Sequence, residues 1–307
     1  MLRRHGLVAA LVLALPLCGA ALADAPKARP SPTAKELLAK SSPGEWRTPD
    51  PANLVYMQLP QGRVVIELAP AWTPEHAANI RTLVREHYFD GLSVIRVQDN
   101  FVTQWGDPDG DDKARARKLG TAKETLPPEF TRKIDAKSTF TRLPDGDVYA
   151  PEVGFADGFA VARDPKAGNE WPAHCYGAVG VARDVGAETG SGSSLYAIIG
   201  QAPRNLDRNL AVAGHVLEGM QYLSAYPRGG EPMGFYDKPA DRVTISKVVL
   251  AADLPAAERE KIEVLKTDSK TFAAIVEAKR NRRDDFYTLP AGKIDVCNIS
   301  VPVRQVK

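Results

Sequence analysis

Arg96 stands where a cation is costly. Its neighbours Val94, Ile95 and Val97 are β-branched and apolar, the pattern of a strand in apolar surroundings. An ionised guanidinium among them needs partners or water, because arginine cannot shed its charge. A structural ion pair meets that need, and so does a buried stem whose head reaches solvent. The other reading is a charged donor held at a site, since perturbed groups gather where proteins do chemistry. Two further patterns invite chemistry and fall short of it. Asp107, Asp109, Asp111 and Asp112 suggest calcium, but the EF-hand spacing and its closing Glu are absent, and the run reads as a solvated turn. Gly190-Ser-Gly-Ser-Ser194 resembles a phosphate cradle but lacks the Lys-Ser/Thr pair and a following helix. No Cys-x-x-Cys and no zinc-ligand spacing occurs, so neither redox catalysis, a metal nor a cofactor is expected.

The company Arg96 keeps is more specific. Phe89-Asp-Gly91, Val94-Ile-Arg-Val97 and Phe101-Val-Thr-Gln-Trp-Gly-Asp107 together resemble the cyclophilin family of peptidyl-prolyl isomerases. Arg96, Phe101, Gln104, Gly106 and Asp107 match that family's pattern in register, while Ile95 stands for its usual His, Val94 for Phe and Trp105 for Gly. Tyr176–Arg183, Gly190–Ile199, Leu206-Asp207 and Val212–Met220 resemble later motifs of the same family. The resemblance runs over about residues 53–252, interrupted by an insert at about 131–174.

It implies a mostly β fold: a closed eight-stranded antiparallel barrel with flanking helices, the insert, and a C-terminal helical or extended tail. It also implies isomerisation of X-Pro bonds in polypeptides. Amide resonance sets a barrier of roughly 18–20 kcal/mol to that rotation. At the twisted transition state the nitrogen gains a lone pair, and a donor aimed at it binds the twisted amide better than either planar state. The resemblance assigns that donor to Arg96, braced by Gln104. It assigns the floor for the proline ring to Phe101, Leu206 and Leu210, with Val102 and Tyr196 beside them, and the rim to Ala182 and Arg183. Asn205 stands where many members have Trp, Leu210 where they have His, Arg183 where they often have Asn, and Ser194 where they have Gln. Losing the Trp wall implies weak cyclosporin binding. The alternative function is a non-catalytic cyclophilin-like module that holds a protein partner through its insert and tail.

These residues need elements to position them. Asn53–Leu59 and Arg63–Leu68 flank a short Gly turn and read as a hairpin. Thr73 and Pro74 then open a helix running to about His87. The insert is expected to add one hairpin or a covering loop. From Leu254 a charged helix is expected, with Ile262, Leu265, Phe272, Ile275 and Val276 as its apolar stripe. Residues 293–303 alternate like a strand. Residues 24–52 are rich in Pro and read as a tether with a helical turn or two at Thr33–Lys40, and 253–307 as an extension.

Arg3, Arg4 and His5, the apolar run Gly6–Leu17 and Ala21-Leu-Ala23 read as a secretory signal peptide cleaved after Ala23, which places the protein in the periplasm. A lipid anchor at Cys18 is the rival, against which stands the bulky Leu17. No other stretch is apolar enough to span a bilayer. Cleavage removes Arg3 and Arg4 and no acid, so the 38 acidic residues face an equal number of basic ones. That balance gives no electrostatic footprint for nucleic acid, and a monomer is expected. Cys175 and Cys297 are then the cysteines left, and an oxidising compartment permits a bridge between them.

Overall fold

The computed structural model describes residues 30–185 and 189–306; the signal-peptide reading and Cys18 lie outside them. A curled antiparallel sheet of nine strands carries the fold. Its order is Val243–Thr244, Ser93–Val97, Val102–Gly106, Leu195–Ile198, Ala178–Val181, Val212–Glu218, Gly62–Leu68, Leu54–Leu59 and Lys247–Leu250. Four α-helices accompany it among the described residues: α1 (Ala34–Ala39), α2 (Pro74–Arg85), α3 (Met220–Ala225) and α4 (Lys270–Arg280). One face of the sheet buries Met57, Ile66, Val94, Trp105 and Val179 against Ile80 and Leu83 of α2 and Leu223 of α3. The other face holds a smaller cluster around Val102, Tyr196, Ile198 and Val212.

The closed eight-stranded barrel expected from the sequence is not formed. The segment reaching both edges breaks at Ile245 and Ser246: Val243 and Thr244 pair with Val94 and Ser93, whereas Lys247–Leu250 pairs with Val55–Gln58. The Ile245 N–H donates to Leu92 and the Ser246 N–H to Gln58, so the backbone is drawn to opposite sides and the ladder stays open there.

The expected hairpin forms, with six residue pairs from Leu54↔Glu67 to Leu59↔Gly62. Helix α2 ends at Arg85, two residues short of the expected His87, because His87 takes a left-handed φ of 58°. Thr73 sits at its cap without capping it. Its hydroxyl donates instead to the Ala69 carbonyl at 3.3 Å, and the free N–H groups of Glu75 and His76 donate to the Glu129 carboxylate at 2.9 Å each.

The insert makes a five-stranded antiparallel sheet rather than one hairpin, ordered Arg132–Lys133, Asn169–Pro172, Phe159–Asp164, Glu152–Ala156 and Thr141–Arg142. Asp157 and Gly158 both take positive φ, 54° and 86°, which suits the tight turn between its two longest strands. One side of it packs on Phe272, Ile275 and Val276 of α4.

The tail also departs from expectation. Ile262–Leu265 is a strand between Trp46–Arg47 and Val303–Gln305, and the helix starts only at Lys270, where the Phe272 N–H donates to the Ser269 hydroxyl at 3.1 Å. A spacing of three between Ile262 and Leu265 fits a helical stripe, but pairing with two distant strands overrides that local preference. Of residues 293–303, Val296–Asn298 is a 3-10 turn, and the strand begins at Val303. Helix α1 forms where expected, fixed by a reciprocal Thr33–Glu36 capping box, and packs on α4. Arg47 donates to Glu67 of the main sheet at 2.5 and 2.8 Å, and Cys175 is bonded to Cys297, so both extensions are fastened to the fold. No helix of the described residues is long and apolar enough to cross a membrane.

Candidate active site

The strand that bears Arg96 carries a bulge. Val94 pairs with Trp105 and Arg96 with Gln104, so the register slips by one residue between them. In a regular strand Val94 and Arg96 would share a face. The extra residue, Ile95, turns Arg96 away from the core that holds Val94 and Val97, both fully buried. Arg96 and Gln104 therefore stand side by side on the face that carries Tyr196 and Val102.

Three sets of contacts hold the guanidinium. Its Nε donates to the Met233 carbonyl at 2.6 Å, Nη1 to Gln104 Oε1 at 3.1 Å, and Nη2 to Gln98 Oε1. Gln104 in turn donates to Ser194 Oγ at 3.0 Å. Phe101 and Phe235 lie against the guanidinium, with ring centres 5.6 and 5.2 Å from Cζ. Partial burial lowers the Arg96 pKa from its ordinary value, and the group remains a cation. Of its five N–H groups, these bonds occupy three, leaving one on each terminal nitrogen without a hydrogen bond among the described residues.

The segment that supplies Met233 and Phe235 is laced to the Arg96 strand. Val97 donates to Gly234, Gly229 to Val97 and Tyr236 to Ile95, and Phe235 forms a single bridge with Arg96. A Cβ on Gly234, whose φ is 78°, would lie 2.6 Å from the Gln98 backbone, so only glycine allows this approach.

The floor is apolar. Phe101, Ala182 and Leu210 pack on the buried cluster of Val102, Tyr196, Ile198 and Val212. Gly180 faces Tyr196 across the sheet, and a side chain there would meet the ring at 2.1 Å. Leu206 closes the short 3-10 turn Arg204–Leu206. Arg183 lies at the rim, donating to the Asn209 and Asp184 carbonyls at 3.1 and 2.8 Å, with Cζ 5.9 Å from the Phe130 ring.

Beneath the floor runs a buried polar chain. The Tyr196 hydroxyl is 3.1 Å from His174 Nε2, and His174 Nδ1 is 3.0 Å from Asp207 Oδ1. An ionised Asp207 accepts only, so Nδ1 carries a proton there, and in the neutral ring Nε2 accepts from the tyrosine. Asp207 also accepts from Trp171 Nε1 at 3.2 Å and Arg204 Nε at 2.6 Å. Burial raises the Asp207 pKa, but the His174 bond and the Arg204 charge outweigh it and hold the carboxyl below its ordinary value. Burial raises the Tyr196 hydroxyl pKa and keeps it neutral.

An apolar floor beside a clasped, half-buried guanidinium suits a ring next to a polar amide. The family model for "Cyclophilin type peptidyl-prolyl cis-trans isomerase/CLD" matches residues 54–250. The chain belongs to the cyclophilin family. The crystal structure of the cyclophilin AquaCyp293 from Hirschia baltica is similar, with a TM-score of 0.67 and 26% identity over 85% of this chain and 96% of that one. A "Probable peptidyl-prolyl cis-trans isomerase" of Brucella suis is 36% identical over 96 residues, 29% of this chain and 49% of the relative. A "Putative thylakoid lumen peptidyl-prolyl cis-trans isomerase" of Synechocystis is 25% identical over 206 residues, 65% of this chain and 47% of the relative. The chain spans about half the length of these curated relatives.

In this cyclophilin, Arg96, Gln104, Phe101, Val102, Tyr196, Ala182 and Leu210 gather on one face of the sheet. Leu206 lies on the adjoining turn and Arg183 at the margin. Sequence reasoning missed Gln98, Met233 and Phe235, although the glycines at 229, 230 and 234 mark a tightly packed backbone. It also missed His174 and Arg204. Arg204 and Asp207 are three residues apart, a spacing that was visible but not distinctive.

Proposed function

We propose that this cyclophilin is a peptidyl-prolyl cis-trans isomerase that assists the folding of exported proteins. The carrying observation is Arg96, turned by a bulge onto the apolar face and clasped so that one N–H on each terminal nitrogen is left for a ligand. In this reading the proline ring lies on Phe101, Val102 and Leu210, and the guanidinium meets the prolyl amide. As the C–N bond twists, the nitrogen pyramidalises and becomes an acceptor. A donor that is already oriented and partly shielded from water stabilises that state without having to reorganise. Gln104, Gln98 and the Met233 carbonyl keep the guanidinium in place as the amide turns. Tyr196, held from below by His174, keeps the floor level and neutral.

Export is supported by the signal-peptide pattern in residues 1–23, by the thylakoid-lumen relative, and by a disulfide, which persists in oxidising compartments. The mass of the exported chain is expected to correspond to an N-terminus at Asp24.

A protease-free isomerisation assay on an X-Pro peptide tests the activity. Wild type is expected to turn it over, and Arg96→Ala to lose on the order of 10²–10³-fold while remaining folded, by analogy with the loss of one oxyanion donor. Arg96→Lys is expected to recover little, because an ammonium cannot fill three planar contacts at once. A folded Arg96→Ala as fast as wild type would overturn the mechanism. A wild type that binds the peptide without turnover would favour the binding-module reading.

A further inference from the structure

One loop of the insert, Leu143 to Ala150, is pinned at two points. Asp145 accepts from Arg280 of α4 through two bonds of 2.6 Å and from the Ile294 N–H at 3.1 Å. Asp147 accepts from Arg204 at 3.1 and 3.2 Å and from the Tyr149 N–H at 2.9 Å. Both carboxylates are almost fully buried, 5% and 2% exposed. Beyond these anchors the loop turns two apolar side chains outward, Val148 at 91% and Tyr149 at 49% exposure. The Tyr149 ring lies against Arg204, its centre 5.2 Å from Cζ.

Solitary apolar residues on a surface need no explanation. These two differ because the loop that bears them is anchored through Asp145 and Asp147, and Asp147 and Tyr149 both meet Arg204, two residues before Leu206. Arg204 opens the turn that ends in Leu206, which the family resemblance assigns to the floor for the proline ring. The same arginine donates to Asp207, and through His174 that carboxylate reaches the Tyr196 hydroxyl beneath the floor. The loop's two acids are occupied by Arg280 and Arg204, so the tip offers apolar surface rather than charge. A tyrosine on an anchored loop brings a large contact area at little cost in conformational freedom.

We infer that Val148 and Tyr149 extend the substrate groove and take an apolar or aromatic residue flanking the proline on the Arg204 side. This rests on the pocket's accepting proline. An extended chain advances about 3.3–3.6 Å per residue, so close neighbours of the proline reach beyond the pocket onto such a tip. The substrate class is therefore an unfolded polypeptide whose proline lies near an exposed apolar residue, as in chains that have not yet buried their cores.

The test compares kcat/KM for peptides that share one X-Pro core. Their flanks on either side carry Leu or Phe in one set and Glu or Ser in the other. Wild type is expected to prefer an apolar flank on one side by about 10-fold, the order set by burying one such side chain. In Val148→Ser/Tyr149→Ser the preference is expected to fall to about onefold through a rise in KM for the apolar-flanked peptide, and Tyr149→Phe is expected to keep it. Thermal melts establish that the variants are folded. If wild type turns over the core peptide but shows no flank preference, or if the double variant keeps it, the inference is overturned and the isomerase reading stands. If wild type turns over neither set, both are overturned.

Discussion

Arg204 and Asp147 face each other through two bonds of 3.1 and 3.2 Å, with only 3% and 2% of their side chains exposed. Burial opposes the charge on Arg204, but Asp207 and Asp147 outweigh it and raise the arginine's pKa. A buried pair of this kind contributes modestly against an apolar substitute, but breaking it leaves a charge stranded. Arg204→Ala strands two carboxylates at once and is expected to cost about 3–5 kcal/mol in urea unfolding. Asp147→Asn keeps an acceptor for the guanidinium and is expected to cost less. The reverse order would show that the turn is held by packing instead.

Gln98 holds the guanidinium on the side opposite Gln104 and also donates to the Pro232 carbonyl at 3.5 Å. In the proposed mechanism Gln98→Ala is expected to leave the fold intact and lower kcat by about 10-fold, because small misplacements of the donor that meets the amide are costly. The ¹⁵Nε resonance of Arg96 should broaden or shift in the same variant. An unchanged kcat would mean that Gln104 and Met233 suffice.

Acid should loosen the attachment of the N-terminal extension. Burial opposes ionisation of Glu67, yet bonds from Arg47 and His215 prevail and bring its carboxyl to about 2, against an ordinary 4.5. The folded value is the lower one, so the stabilisation is fully present above about 4.5 and is lost as pH falls towards 2. It amounts to on the order of 3 kcal/mol for a group this buried. Equilibrium unfolding across that window should show the slope, and Glu67→Gln should flatten it.

Reduction should release the tail. Cys175 and Cys297 are 122 residues apart, and closing a loop of that length is worth about 4–5 kcal/mol at most in the chain-entropy model. Cys297→Ser is expected to lower the melting temperature and to open residues 281–293 to limited proteolysis before the main sheet is cut. Identical digestion patterns with and without reductant would refute this.

The site was legible in the sequence to the extent that it is local. Arg96, Phe101 and Gln104 lie within nine residues, and one bulge on one strand pair sets their geometry. Met233 and Phe235 come from a segment more than 130 residues further on, and no periodicity ties them to Arg96. The hairpin and α1 were readable because turn and cap residues act over a few positions, as Thr33 and Glu36 do. The tail misled because the spacing of Ile262 and Leu265 fits a helix, whereas pairing with Trp46 and Val303 made a strand that buries them on opposite faces. The insert's sheet lay beyond reach for the same reason, its pairing being set by contacts with α4 and Trp72.

The three-stranded sheet joins Trp46 to Leu265 and Val264 to Val303. A chain delivered amino end first therefore carries an unpaired tryptophan strand until more than 200 further residues have been made. Until residue 265 arrives, Trp46 has no ladder, and the surface that α4 will cover on the insert lies bare. Exposed apolar surface and an unpaired strand of this kind are where an unfinished chain associates with others, and the arrival of Ile262–Leu265 and α4 closes both.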